Sequence, residues 1–308
     1  MNTTRGHAVA MVIGQPRSGS TVLMHALGQR LGAVGLGEVE RAPRWVAGGK
    51  GCSCGERMGS CPVWIGIGGP GGEVWPRRKG AGRRNFYGRL VKCLFLSREG
   101  FAKLVQREGN SQEARAARAQ WMRIRSALNA SGCRLAVDTS KLPDLLRFMW
   151  CVRPQSMQLK VIIVLRDPRG YLASKRRREG QMSTTKGLVE WLGYYLAAIP
   201  IGGWIGRKNV TVVWYEGLCA EPEYTIERIV DSLGLVRYTG SQYLDHSVGG
   251  SDSALDPKGR VHWDDRWKDA LPWDSCVLGA VPLAIMRLVV AILRRSGWTV
   301  CGRLRLSA

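Results

Sequence analysis

An α/β fold of three layers, with a mostly parallel central sheet flanked by helices, is predicted by three features of this 308-residue sequence. Apolar runs of strand length alternate with longer segments of helical period. The first run passes through a Gly/Pro/Ser turn straight into a helix. Later runs do the same, and repeated strand-turn-helix units pack as right-handed crossovers, which make the strands parallel and leave ligand sites at their carboxyl ends.

In chain order, residues 8–13 read as a strand, 14–20 as the turn and 21–31 as its helix. From about 41 to 79 the sequence is rich in Gly, Pro, Cys and Trp, which predicts an irregular insertion within one domain spanning 1–308. A basic helical region follows up to Ser131; then 135–137 and 161–165 read as short buried strands, with a helix starting near Pro143 after the first. Residues 210–214 are a further strand and 221–233 a further helix. Two long apolar stretches, 191–205 and 277–293, are expected to be core helices, because Gly and Pro break the first and Arg287 interrupts the second. No transmembrane segment is expected.

The 46 Lys and Arg residues against 24 Asp and Glu give a formal charge of +22. That balance calls for an anionic partner: a polyanionic cofactor, an acidic glycan, nucleic acid or a membrane surface. Basic stretches at 77–125 and 175–178 carry Phe101 and Trp121 between their charges, but no helix-turn-helix, RRM or zinc-finger pattern accompanies them. No specific nucleic acid is therefore expected, and a solvated face that attracts an anionic cofactor, an acidic acceptor or lipid headgroups at a membrane surface is the simpler reading. The first strand comes too early for a secretory signal ahead of it, and nine cysteines, an odd number, suit a reducing, cytoplasmic compartment.

The turn Gly14-Gln-Pro-Arg-Ser-Gly-Ser-Thr21 has the spacing of a nucleotide-binding P-loop except that Ser20 replaces the lysine. A P-loop-like fold follows. Backbone N–H groups and the helix N-terminus still suit a phosphate, with Arg17 as cation and Ser18, Gly19, Ser20 and Thr21 around it. Without the lysine, a 5′-phosphate fits better than a triphosphate. An ordinary Gly-rich strand-helix turn would read similarly. Residues 161–165 run into Arg166-Asp-Pro-Arg-Gly170 and a helix carrying Ser174, so Arg166 and Ser174 can face one anion, although such a basic turn is often only a solvated surface.

Taken together, these two segments resemble the PAPS-dependent sulfotransferases, those of the bacterial, carbohydrate and tyrosylprotein branch in particular. In that family the first loop binds the 5′-phosphosulfate of 3′-phosphoadenosine 5′-phosphosulfate (PAPS) and the Arg…Ser pair binds the 3′-phosphate. Asp138-Thr-Ser-Lys141 and Trp214-Tyr-Glu-Gly-Leu218 are similar to family segments too, with Gly217 in place of the usual Asp. His246-Ser-Val-Gly-Gly250 and Asp264-Asp-Arg-Trp267 resemble a cofactor-covering loop and the helix after it. The stretch between them departs from the pattern, and Lys258 and Arg260 stand as substitutes there.

The resemblance implies in-line transfer of the sulfuryl group from PAPS to an acceptor hydroxyl or amine on a carbohydrate, lipid or small metabolite, with no metal required. Arg17 would neutralise the leaving phosphate and Lys141 would contact the bridging or sulfuryl oxygens. Gly37-Glu-Val-Glu-Arg41 resembles the segment that supplies the base, which makes Glu38 the candidate and Glu40 the reserve. Two alternatives stand beside it: a P-loop kinase-like phosphotransferase, for which Asp138 is the one good Mg²⁺ candidate, and a non-catalytic polyanion-binding protein. Cys52, Cys54 and Cys61 offer three thiols. They could be ligands for a structural zinc, but their spacing is not that of paired CxxC motifs and no fourth ligand lies close in sequence, so a packed or redox-sensitive cluster is expected ahead of a metal site.

Overall fold

A computed structural model of the chain describes residues 6–65, 99, 103, 111–141, 143–180, 182–237, 242–249 and 267–302. The later part of the expected insertion, most of the basic stretch up to 110, and Lys258, Arg260 and His262 lie outside the described residues.

Strand β1 (His7–Ile13) leads into α1 (Ser20–Leu31), which Gly32 ends in the left-handed conformation at φ 64°, its N–H returning to Gly28 O. After β2 (Val34–Gly37) come a 3-10 turn (Val39–Arg41) and the short α2 (Ala42–Ala47). Helix α3 (Gln112–Ser131) starts at Ser111, whose side chain accepts from Ala114 N. Then follow β3 (Leu135–Asp138), α4 (Pro143–Cys151), β4 (Met157–Leu165), α5 (Pro168–Glu179) and α6 (Thr184–Ile205). The chain continues through β5 (Val210–Trp214), α7 (Tyr215–Ala220), α8 (Pro222–Leu233), β6 (Leu244–Val248), α9 (Trp267–Ala270), α10 (Trp273–Arg295) and β7 (Thr299–Cys301).

The seven strands form one sheet in the order β6-β2-β3-β1-β4-β5-β7, every pair parallel. Alternate residues of the central strands feed opposite faces. Val9, Met11 and Ile13 pack into a core with α3, α4, α6 and α10, while Ala8, Ala10 and Val12 pack into a second core with α1 and α8. Each Val, Leu or Ile so buried contributes about 1.5–3 kcal/mol. The chain is therefore an α/β protein of three layers, as its sequence predicts.

Two expectations are corrected. His246 to Val248 belong to strand β6, not to a covering loop: the outer edge of β2 has free backbone groups, and residues 244–248 pair with it in parallel. The stretch 277–293 is not a core helix. Of α10 only Ser275, Gly279, Pro282, Leu283, Met286 and Val290 are buried, with Cys276, Val289 and Leu293 half-buried beside them, because the helix lies on the outside of its layer; Leu288 is 64% exposed and Val281 59%. The corresponding stretch of α6 is buried as expected, with Trp191 and Tyr195 at 0% exposure. Both helices have the length and hydropathy of a membrane span.

Candidate active site

The turn after β1 is closed by Ser18 N donating to Gln15 O at 3.0 Å. At its two glycines it is packed too tightly for larger residues. A Cβ on Gly19, which sits at φ 91°, would overlap the Tyr215 ring, and one on Gly14 would overlap Ser18 Oγ. Among the described residues Arg17 is the one non-glycine with positive φ, at 74°. Holding a bulky residue there stores roughly 1–2 kcal/mol of backbone strain, which the surrounding contacts must offset.

Those contacts come from the second predicted segment. Arg166 Nη1 donates to Arg17 O at 2.6 Å, and Arg17 Nε donates to Ser174 Oγ at 3.1 Å. Arg17, Arg166 and Ser174 thus converge, although 149 residues separate the first pair and 157 the second. Arg166 is 5% exposed and its guanidinium lies over the Tyr215 ring, 4.8 Å from the centroid. Beside them Ser18 Oγ is buried without a hydrogen-bond partner, while Ser20 and Thr21 are buried at the start of α1. A buried hydroxyl left without a partner in a cationic, Gly-tight loop has the donor set that an anion needs.

The carboxylate side lies at the ends of β2 and β3. Glu38, 3% exposed, is held through its backbone by Val248 O, and its Oε1 accepts from Lys141 Nζ at 2.6 Å. Arg41 Nε lies 2.6 Å from Oε2 as an ion pair whose geometry falls short of a hydrogen bond. Two of the predicted catalytic residues are therefore in direct contact. Glu40 lies beside Glu38: burial, with smaller contributions from Asp138 and Glu38, pushes its carboxyl up to about 7. Asp138 is fully buried, which raises it to about 6, and it accepts from Ser140 N at 2.8 Å, Ser140 Oγ at 2.6 Å and Gln120 Nε2 at 2.9 Å. Its oxygens are spent on shaping the turn that presents Lys141.

Helix α6 joins the two sides. Trp191 Nε1 donates to Arg166 O at 3.0 Å, Tyr195 Oη to Val164 O at 2.7 Å, and Glu190 O accepts from Gln15 Nε2 at 2.7 Å. Tyr194 Oη donates to Lys141 O at 3.0 Å and also lies at the backbone of Gly14. An apolar helix with polar tips thus fixes the loops after β1, β3 and β4 against one another.

Sequence reasoning passed over two residues of this assembly. Tyr215 packs beneath both Gly19 and Arg166, and Glu216 Oε1 accepts Asp167 N–H at 2.8 Å, which holds the Arg166 turn. Burial pushes Glu216 up to about 7. The signal was present in the Trp-Tyr-Glu-Gly-Leu motif, but the motif does not say that its side chains point back at the other loops. Trp267, the described end of the Asp-Asp-Arg-Trp segment, covers Arg169 at 4.4 Å. A cavity of about 450 Å³ between α8, α10 and β7 includes none of these residues.

No family model and no curated protein matches the chain. Among solved structures it is similar to the sulfotransferase domain from the Synechococcus PCC 7002 olefin synthase, at 19% identity and a TM-score of 0.48, over 91% of this chain and 96% of that one.

Proposed function

We propose that the chain is a PAPS-dependent sulfotransferase that transfers the sulfuryl group to an acceptor hydroxyl or amine by in-line displacement. The observation that carries this reading is the contact of both Arg166 and Ser174 with Arg17, next in sequence to the partnerless Ser18 hydroxyl. PAPS supplies an activated sulfuryl group and two phosphate groups for the loop and the Arg166–Ser174 pair to hold. Arg17 faces charge that grows on the leaving phosphate. Glu38 takes the acceptor's proton, and Lys141, drawn off Glu38 as that carboxylate turns to the acceptor, neutralises sulfuryl oxygens. Tyr194 keeps Lys141 in register with the loop throughout.

The phosphotransferase reading is weakened by Asp138, which is 0% exposed and already carries three hydrogen bonds where a Mg²⁺ ligand would be needed. For the acceptor we infer a lipid-linked or acidic molecule met at an anionic membrane surface. The exposed apolar face of α10 carries Val281, Ile285, Leu288 and Ile292 together with exposed Arg287, Arg294 and Arg295, on a chain of charge +22.

The deciding experiment is calorimetric titration with 3′-phosphoadenosine 5′-phosphate against ATP and Mg²⁺ at moderate salt. One-to-one binding of the bisphosphate, weakened about 10- to 100-fold by Arg166→Ala, is expected. Preference for ATP would overturn the proposal in favour of a kinase, and no binding by folded protein in favour of a non-catalytic binder.

A further inference from the structure

The three thiols that lacked a fourth partner in the sequence have one in the fold. His246, on β6, meets Cys52, Cys54 and Cys61, and one ligand atom from each of the four lies within 4.8 Å of all the others. Cys61 Sγ is 3.2 Å from His246 Nδ1, Cys52 Sγ is 3.8 Å from the same nitrogen, and Cys54 Sγ is 3.8 Å from Cys61 Sγ. A tetrahedral ion with metal–sulfur bonds of about 2.3 Å has sulfur–sulfur edges of about 3.8 Å and sulfur–nitrogen edges of about 3.5 Å. A disulfide would need the sulfurs at about 2.05 Å.

The backbone around the cluster is already arranged for this. Cys52 N donates to Glu56 O at 2.7 Å, Gly55 N returns to Cys52 O at 3.0 Å, and Gly51 bridges Arg57, so a tight turn with Gly55 at φ 96° presents Cys52 and Cys54 together. Cys61 starts the next turn, with Trp64 N on its carbonyl. The buried Trp64 donates from Nε1 to His246 O at 2.8 Å, and Ser247 N donates to Ser53 Oγ at 2.7 Å. The ligand-bearing turn and the strand are thus in register through contacts that involve none of the four ligand atoms.

We propose that Cys52, Cys54, Cys61 and His246 bind one structural Zn²⁺. Three soft thiolates and an imidazole suit zinc over magnesium or calcium, and four protein ligands would fill a tetrahedral ion and leave no open position for chemistry. Binding replaces three S–H protons, released to solvent, by three zinc–sulfur bonds and one zinc–nitrogen bond, so the neutral ligand set with Zn²⁺ becomes a complex of charge −1. The ion clamps the segment 51–65 onto β6. Val248, two residues beyond His246, accepts the Glu38 N–H at 2.8 Å, so the clamp also fixes the strand edge that presents the carboxylate.

The full chain, purified under reducing conditions from zinc-supplemented cells, is expected to hold one zinc per chain by elemental analysis. Cobalt exchanged into it should give the intense visible bands of a tetrahedral thiolate site. Chelation should lower the Tm by about 5 °C or more, reversed by zinc. Cys54→Ser, which alters the exposed member of the set, should weaken zinc binding at least about 10-fold, whereas Cys219→Ser should leave it unchanged. Substoichiometric zinc in the folded wild-type chain, a cobalt spectrum without thiolate bands, or a Cys54–Cys61 disulfide in freshly purified protein would each overturn the proposal. None of these readouts depends on transferase activity.

Discussion

The two sides of the candidate active site are built on opposite electrostatics. Around Arg17 and Arg166, cations are gathered against backbone dipoles and hydroxyls, and Ser18 Oγ has no protein partner. Around Glu38, Glu40 and Asp138, buried carboxylates crowd together and are answered by Lys141, Arg41 and a hydrogen-bonded serine. The first side is prepared for a charge brought from outside; the second is nearly balanced from within. A cleft that binds an anionic donor and moves a proton from a neutral acceptor needs both, next to each other and kept distinct.

Substitutions can break that contrast. The largest effect is expected from Glu38→Gln, which should lower kcat by about 10²- to 10⁴-fold while leaving bisphosphate affinity within about threefold. Equal loss of both in steady-state and calorimetric assays would put Glu38 on the donor side. Next, Arg17→Ala should lower kcat by about 10²- to 10³-fold and weaken the bisphosphate as well, whereas Glu40→Gln should do neither. A rising limb of the rate profile near pH 7 that vanishes in Glu40→Gln would instead hand the proton transfer to Glu40.

A smaller, purely thermodynamic effect is expected at Glu216. Its folded value of about 7 lies above the ordinary carboxyl value, so the unfolded chain gives up this proton first and stability falls as pH rises from about 4.5 through 7. The amide does not titrate. Glu216→Gln should therefore gain on the wild type as pH rises, by about 3 kcal/mol at pH 8, with no gain at pH 4, in thermal melts. Smallest for catalysis in solution is Leu288→Glu on α10. It should leave turnover of a soluble acceptor unchanged and reduce co-sedimentation with phosphatidylserine vesicles several-fold; undiminished sedimentation would remove the membrane surface from the proposal.

Much of the fold was legible because its central strands are long or uniformly apolar: 8–13, 135–137, 161–165 and 210–214 all lie in strands, and the helices that follow them form. Strands β2, β6 and β7 read as VGLG, LDHSV and TVC, too short and too mixed to signal a strand until a neighbour offers an edge. The loop after β1 was legible for a similar reason, since its geometry is local and only glycine fits at positions 14 and 19. That Arg17 touches Ser174, that Lys141 pairs with Glu38 and that His246 joins the thiols are facts about sheet order, which brings distant strand ends together and leaves no trace in spacing.

Arg17 carries one more consequence. A glycine in its place would relieve the left-handed strain at φ 74° at no steric cost, so the substitution should raise the melting temperature even as it removes the cation. Any selection for heat resistance alone would be drawn to this position and would return a sturdier protein without the loop's cation, which on the proposed function is an inactive one. On the proposed function, the arginine marks where this fold has traded robustness for chemistry.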